Sequence, residues 1–203
     1  MFKPARGGFT LIEFVIVIGI LSLSIGSILL LLTSVIKGTN QTNINAEVKQ
    51  NGQAAFDAIE RQIRGAESVN QMFPGALYGA ESGIEIVQGS SNLYVICKPQ
   101  TYVAYNSSEN KNGWIGIYSG VSAPDSLDLY QKLTNTDLTN GVNIICAATG
   151  TKALQVNSVT SDEQKGIAVT IYFIAQQAIN APGRADFTGE AQFKTTISLR
   201  DYN

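Results

Sequence analysis

The chain has 203 residues with 14 basic and 16 acidic side chains, so its formal net charge is -2. This length allows one domain with an appendage, or two small domains. Histidine is absent from the sequence, which excludes Ser-His-Asp and Cys-His nucleophiles and every histidine-liganded metal site. Two cysteines cannot complete a four-thiolate zinc site either. Carboxylate chemistry stays open, but no motif points to it, so we expect a protein that is not an enzyme and has neither cofactor nor metal.

The N-terminal part begins with a short basic leader, residues 1–8, that ends in glycine. An apolar segment follows in residues 9–36, and its stretch 14–36 has 23 residues without a charge. A helix of about 20 apolar residues is long enough to cross a bilayer. Lys3 and Arg6 precede the stretch, and basic residues favour the cytoplasmic side. We therefore expect a single-pass inner-membrane helix with a cytoplasmic N-terminus and the remaining chain outside.

Residues 37–65 continue the helical pattern with a polar composition. The apolar positions of one face are Ile44, Val48, Ala55, Ile59 and Ile63, with Phe56 beside them. This spacing predicts an amphipathic helix that ends near Gly65. Acid-before-base pairs are expected between Asp57 and Arg61 and between Glu60 and Arg64. Glycine lowers helix stability by about 1 kcal/mol relative to alanine, so we expect bends or local melting at Gly38 and Gly52.

Residues 66–203 are predicted to form a β-rich head domain. Eight β-branched or aromatic runs are separated by Gly, Ser, Asn and Pro clusters; they are residues 84–88, 93–98, 101–105, 114–118, 142–147, 153–157, 167–174 and 191–200. The last two alternate most clearly between apolar and polar residues, and a loop over residues 175–190 joins them. The predicted fold class is α+β, with the second half of the long helix packed on an antiparallel, two-sheet domain.

Cys97 and Cys146 both lie in the part expected outside the cytoplasm. In an oxidising compartment two such cysteines indicate a disulfide bond. Two unpaired buried thiols remain the alternative.

The most informative motif is the run from residue 6 to residue 13, Arg-Gly-Gly-Phe-Thr-Leu-Ile-Glu, directly before the apolar stretch. An ordinary secretory signal has its small residues after the apolar region, whereas here they come before it. The run closely resembles the class III signal of type IV prepilins and type II secretion pseudopilins. The resemblance implies that prepilin peptidase cleaves between Gly8 and Phe9, that the Phe9 amine is methylated, and that Thr10 and Glu13 serve assembly.

Elementary electrostatics supports a special role for Glu13. A carboxylate near the end of a membrane helix costs up to a few kcal/mol, depending on its depth. The terminal amine of Phe9 on a neighbouring subunit would supply a positive charge at the same depth, and pairing would fix the axial step between subunits. The alternative is a glutamate that only extends to the lipid headgroups.

Residues 58–66 and 193–201 resemble the helix end and final strand of J-type minor pseudopilins and W-type minor pilins. The apolar segment lacks the proline of many major pilins, which favours the minor class. The resemblance implies a type IV pilin-like fold and a structural filament subunit. Its expected partners are other pilin or pseudopilin subunits, prepilin peptidase, the inner-membrane platform and assembly machinery, and the lipid bilayer before assembly.

Three alternatives stay open: a major pilin, a tip pilin with an adhesive or DNA-binding role, and a membrane-anchored hydrolase. DNA binding is disfavoured because loss of the leader leaves 12 basic side chains against 16 acidic ones, whereas nucleic acid requires exposed basic groups. Asp125, Asp128 and Asp137 do not match a calcium-binding EF-hand loop. Tyr102, Tyr105, Trp114 and Tyr118 either line a ligand surface or pack within the sheets.

Overall fold

The computed structural model describes residues 8, 10–72, 82–101, 109–148, 151–161 and 164–200. It divides into two compact units, residues 1–40 and 41–203. A single helix, α1 (Leu11–Arg64), contributes 54 residues to the two units. The predicted bends at Gly38 and Gly52 are wrong, because α1 is helical through both positions.

The predicted apolar face of the amphipathic helix is confirmed. Its buried positions in the second unit are Val48, Gly52, Ala55, Ile59 and Ile63. Gly52 belongs to this face because the absence of a side chain permits close packing. A Cβ atom there would lie 2.6 Å from Cζ of Phe193 and 3.1 Å from Cβ of Ala175. The glycine that we expected to weaken the helix is therefore its point of closest approach to the sheet.

Replacing Gly52 by alanine should destabilise the head by about 1–3 kcal/mol, because overpacking outweighs the better helix propensity of alanine. Gly38→Ala is the matched control, since no heavy atom lies within 4 Å of the position that its Cβ would occupy. Denaturant unfolding of the full chain in detergent, followed by the near-ultraviolet circular dichroism of the head, measures both. Equal stability of the two variants would contradict the packing role of Gly52.

The first sheet of the head is antiparallel and has five strands in sequence order. They are β1 (Ser68–Met72), β2 (Ser82–Gln88), β3 (Ser91–Lys98), β4 (Trp114–Gly120) and β5 (Gln131–Lys132). Gly89 has a φ of 57° between β2 and β3, a conformation that glycine adopts without strain. The sequence did not predict β1, whose residues are mostly polar. It forms because all five of its residues pair with β2.

The second sheet is built around a long central strand. The remaining strands are β6 (Val142–Ile145), β7 (Ala147–Ala148), β8 (Thr151–Lys152), β9 (Leu154–Ser161), β10 (Gln164–Gln177) and β11 (Glu190–Arg200). Strand β10 pairs with β11 along one side, and with β9 and then β6 along the other. Strands β7 and β8 pair only with each other among the strands described. All these pairings are antiparallel, which confirms the α+β class and the antiparallel sheets.

The core lies where the second unit's part of α1 and the two sheets meet. Ile59 from α1, Ile84 from β2 and Phe173 from β10 are each fully buried in one cluster. Phe56 of α1 lies 6.3 Å from Phe173 and 5.9 Å from Phe193 between ring centroids. Burying one such large apolar side chain contributes about 1.5–3 kcal/mol. This cluster explains why a helix with an apolar face folds onto the sheets.

The predicted disulfide is present between Cys97 and Cys146, whose Cα atoms are 5.6 Å apart. Cys97 lies in β3 of the first sheet and Cys146 directly follows β6 of the second. Both residues are buried. The bond therefore joins the two sheets across the core, and the alternative of two free thiols does not hold.

Other expectations change in detail. Within the described helix, Glu60 pairs with Arg64, but Asp57 accepts a hydrogen bond from Gln53 at 2.6 Å and forms no ion pair with Arg61. Of the strand predicted over residues 101–105, Thr101 forms an isolated bridge and the other four residues lie outside the described part. The last loop is shorter than predicted because β10 extends to Gln177.

Candidate assembly site

The described N-terminal part of α1 presents an apolar surface that its own unit does not cover. Leu11, Leu23 and Leu30 are 83%, 78% and 75% exposed. The most apolar 18-residue stretch of this helix has no buried residue. By length and composition, this helix is suited to cross a membrane. The exposed leucines are then explained by contact with lipid or with other helices rather than with water.

Hydroxyl side chains on this apolar helix bond to its own backbone. Ser22, Ser24, Ser27, Thr33 and Thr39 each donate to a carbonyl three or four residues earlier, at 2.6–2.9 Å. Polar groups in a bilayer must be satisfied internally because water is absent there. These five hydroxyls therefore do not prevent the surface from entering lipid.

The start of α1 forms a reciprocal cap between Thr10 and Glu13. The Thr10 backbone N–H and its hydroxyl each donate to Oε2 of Glu13 at 2.9 Å. In return, the Glu13 backbone N–H donates to Oγ1 of Thr10 at 3.3 Å. This arrangement is a capping box, which satisfies donors at the end of a helix that have no partner within it. The sequence analysis missed it, although a threonine followed three residues later by glutamate is its recognised signal.

The capping box gives Glu13 a partner in its own chain, which the sequence analysis did not consider. Both incoming bonds fall on Oε2, and Oε1 receives none from any residue that the structure describes. A positive group outside the chain can therefore bind Oε1 while Thr10 retains the other oxygen. Gly8 is exposed, with open space around its α-carbon. Phe9 and the rest of the leader lie outside the described residues, so the cleavage site remains a prediction.

The aromatic residues of the first sheet pack against one another. The Tyr118 ring lies 6.3 Å from that of Tyr94 and 6.0 Å from that of Tyr130. Trp114 lies 6.5 Å from Tyr130, and both are more than nine-tenths buried. This supports the packing interpretation of Trp114 and Tyr118 over a ligand surface. Tyr102 and Tyr105 lie outside the described residues.

Asp137, one of the acids considered for calcium, instead closes a turn. Its Oδ1 accepts the backbone N–H groups of Asn140 at 2.8 Å and Thr139 at 2.9 Å. These bonds, that of Asn140 foremost, lower the pKa of Asp137 below its ordinary value of 3.8. In the part of the chain that the structure describes, no three acidic or cysteine residues converge to hold a metal ion.

The lowered pKa of Asp137 predicts a pH-dependent stability of the head. The ionised carboxylate stabilises the folded state above the ordinary pKa, and this contribution is lost as the pH falls through the lower folded-state value. Asp137→Asn should therefore be less stable than wild type at pH 7, and the difference should vanish below that folded-state pKa. Denaturant midpoints measured across this range test it. Asp125→Asn, an exposed loop acid, is the control and should show no such convergence.

The comparisons with known proteins leave the family open: no protein-family model matches this chain, and neither a curated protein nor a solved structure matches it.

Proposed function

We propose that this chain is a structural subunit, of the minor class, in a type IV pilus or a type II secretion pseudopilus. The observation that carries the proposal is the start of α1: an exposed apolar helix, capped by Thr10 and Glu13, directly follows a Gly8–Phe9 bond of the prepilin type. The same helix buries an amphipathic face in the β-rich head. Such a chain can be stored in a membrane by its first part while its head folds outside.

Assembly, in this proposal, exchanges lipid for neighbouring helices. Lipid tails are as apolar as leucine, so the exchange gains little from the hydrophobic effect, and packing and polar contacts must drive it. The carboxylate of Glu13 provides such a contact. Its Oε1 binds the terminal amine of Phe9 on a neighbouring subunit, while Oε2 stays with Thr10. Because this charge pair forms at one height only, it also sets the axial step between subunits.

The proposed location is the inner membrane, with the N-terminus in the cytoplasm and the head outside, followed by a filament. The buried Cys97–Cys146 bond supports a head that folds in an oxidising compartment. Prepilin peptidase would remove residues 1–8 and methylate the new terminus. Platform and assembly proteins would then move the subunit from the bilayer into the filament. Neither step requires catalysis by this chain.

Mass spectrometry of the native N-terminus tests the proposal. We expect a mature chain that begins at Phe9 and carries one additional methyl group. Gly8→Val should prevent cleavage, whereas Gly7→Ala changes the same leader without altering the cleaved bond and should be processed normally. A mature chain that retains Met1 and still assembles contradicts the proposal, as does one trimmed beyond residue 36.

The minor class has its own test, since it is inferred from the resemblance alone. Quantitative mass spectrometry of sheared filaments should find this chain at a small fraction of the most abundant subunit. If it is itself the main component, the chain is a major pilin.

A further inference from the structure

A small apolar pocket lies in the second unit, away from the capping box. Its volume is about 120 Å³, close to the roughly 150 Å³ at which an apolar protein cavity accepts benzene. Ile44 and Val48 of α1 contribute one wall, and Ala178, Ala181 and Phe187 of the β10–β11 loop contribute another. A water molecule needs two to four polar partners, and these five side chains offer none. The pocket is therefore suited to a hydrophobic group of about ring size.

Buried asparagine contacts hold the loops around the pocket in place. Asn112 is only 3% exposed. Its Oδ1 accepts the backbone N–H of Ile179 at 2.8 Å, and its Nδ2 donates to the carbonyl of Asp137 at 2.7 Å. The backbone N–H of Asn180 donates to the Leu138 carbonyl at 2.9 Å. Both loops are thus fixed before anything binds, which lowers the entropy cost of binding.

The charge at the pocket is negative. Glu47 lines it and is exposed, and none of its described lining residues is basic. Arg184 of the same loop is occupied by Asp186, to which it donates at 2.9 Å and 3.1 Å. A carboxylate beside an apolar surface favours a ligand that combines a hydrophobic part with a positive charge.

We propose that this pocket binds a ring-sized or branched aliphatic group attached to a positively charged nitrogen. The hydrophobic part lies between α1 and the β10–β11 loop, and the ammonium group faces Glu47. The ligand is either a free amine or a side chain of a neighbouring subunit, because both present this chemistry. Binding at this site does not depend on the proposed filament role.

Binding can be measured by NMR on the isotope-labelled full chain in detergent micelles. Benzylamine is the charged probe and benzyl alcohol its neutral isostere, and the backbone amides of Ala178, Ala181 and Gly141 report occupancy. The ammonium probe should bind about threefold more tightly, the size expected for an ion pair at a solvent-exposed mouth. Equal binding of the two probes, or no shift at these amides, would overturn the proposal.

Two variants separate the charge from the cavity. Glu47→Gln should abolish the preference for the charged probe, whereas Asp57→Asn, which removes a charge about 15 Å further along the helix, should leave it intact. Ala178→Leu fills the pocket and should weaken both probes at least about tenfold. Unchanged probe binding in this variant, with its fold verified by an unchanged amide spectrum elsewhere, would also overturn the proposal.

Filament incorporation of Ala178→Leu then identifies the source of the ligand. Reduced incorporation with a normal membrane level assigns it to a neighbouring subunit, and normal incorporation assigns it to a free amine. Both results support the site. Failure of the proposed function would be recognised separately, through an uncleaved or non-assembling wild-type chain.

Discussion

Glu13→Ala should leave the chain in the membrane but lower its incorporation into filaments at least about tenfold. The reason is that the variant removes the carboxylate that the proposed mechanism pairs with the amine of a neighbouring subunit. A tenfold effect corresponds to about 1.4 kcal/mol per contact, which is modest for a charge pair shielded from water. Immunoblots of the membrane fraction and of sheared filaments measure the two quantities.

The capping box raises a second explanation, because Glu13→Ala also removes the bonds to Thr10. Glu13→Gln separates the two. Glutamine serves in a capping box as glutamate does, so this variant retains the cap and loses only the charge. We expect Glu13→Gln to fail as severely as Glu13→Ala. Thr10→Ala removes the cap but keeps the charge, at a cost of about 1 kcal/mol in helix stability.

The outcome for Thr10 decides which contribution dominates. Thr10→Ala should lower incorporation less than Glu13→Gln does, and Thr10→Ser, which retains the hydroxyl, should behave as wild type. If Glu13→Gln assembles normally while Thr10→Ala does not, the residue acts by capping its own helix. The charge-pair mechanism would then be wrong.

Removal of the disulfide by Cys97→Ala with Cys146→Ala should destabilise the head by about 4 kcal/mol in the chain-entropy model. The two cysteines are 49 residues apart in sequence, so the bond restricts a long loop of the unfolded chain. It also joins β3 of one sheet to the segment that follows β6 of the other. Denaturant unfolding of the full chain in detergent gives the free energy.

Chemical reduction of wild type provides the matched control for that variant. Reduced wild type and the double alanine variant should unfold at similar denaturant concentrations, since both lack the same constraint. A loss below about 1 kcal/mol in both would show that the core alone holds the sheets together. A large loss in the variant only would assign the effect to the cavity left by two sulfur atoms.

Patterns within one segment were sufficient to predict much of this fold. Ile59 and Ile63 belong to a helical repeat, and β10 and β11 alternate residue by residue, so each element carries its own signal of which side is buried. The box formed by Thr10 and Glu13 was also readable, because its residues are three positions apart. It was overlooked because Glu13 was considered only in relation to a neighbouring subunit.

Features that join distant segments were beyond prediction from one sequence. Strand β1 is polar and forms because β2 offers it a pairing edge. Gly52 resembled a weak point of the helix until Phe193, about 140 residues later, proved to pack against it. The pocket beside Glu47 is lined from three separate segments, none of which has a distinctive pattern alone.

The sequence by itself determined the elements: an apolar helix, its amphipathic continuation and alternating strands, because local periodicity decides which side of each element avoids water. It also supplied the prepilin-like motif on which the proposed function rests. Only the tertiary structure decided how the strands divide into two sheets, that Cys97 meets Cys146, and that α1 packs on β10 and β11 through Gly52. Such choices depend on shape complementarity between residues far apart in the chain, and no local pattern records that complementarity.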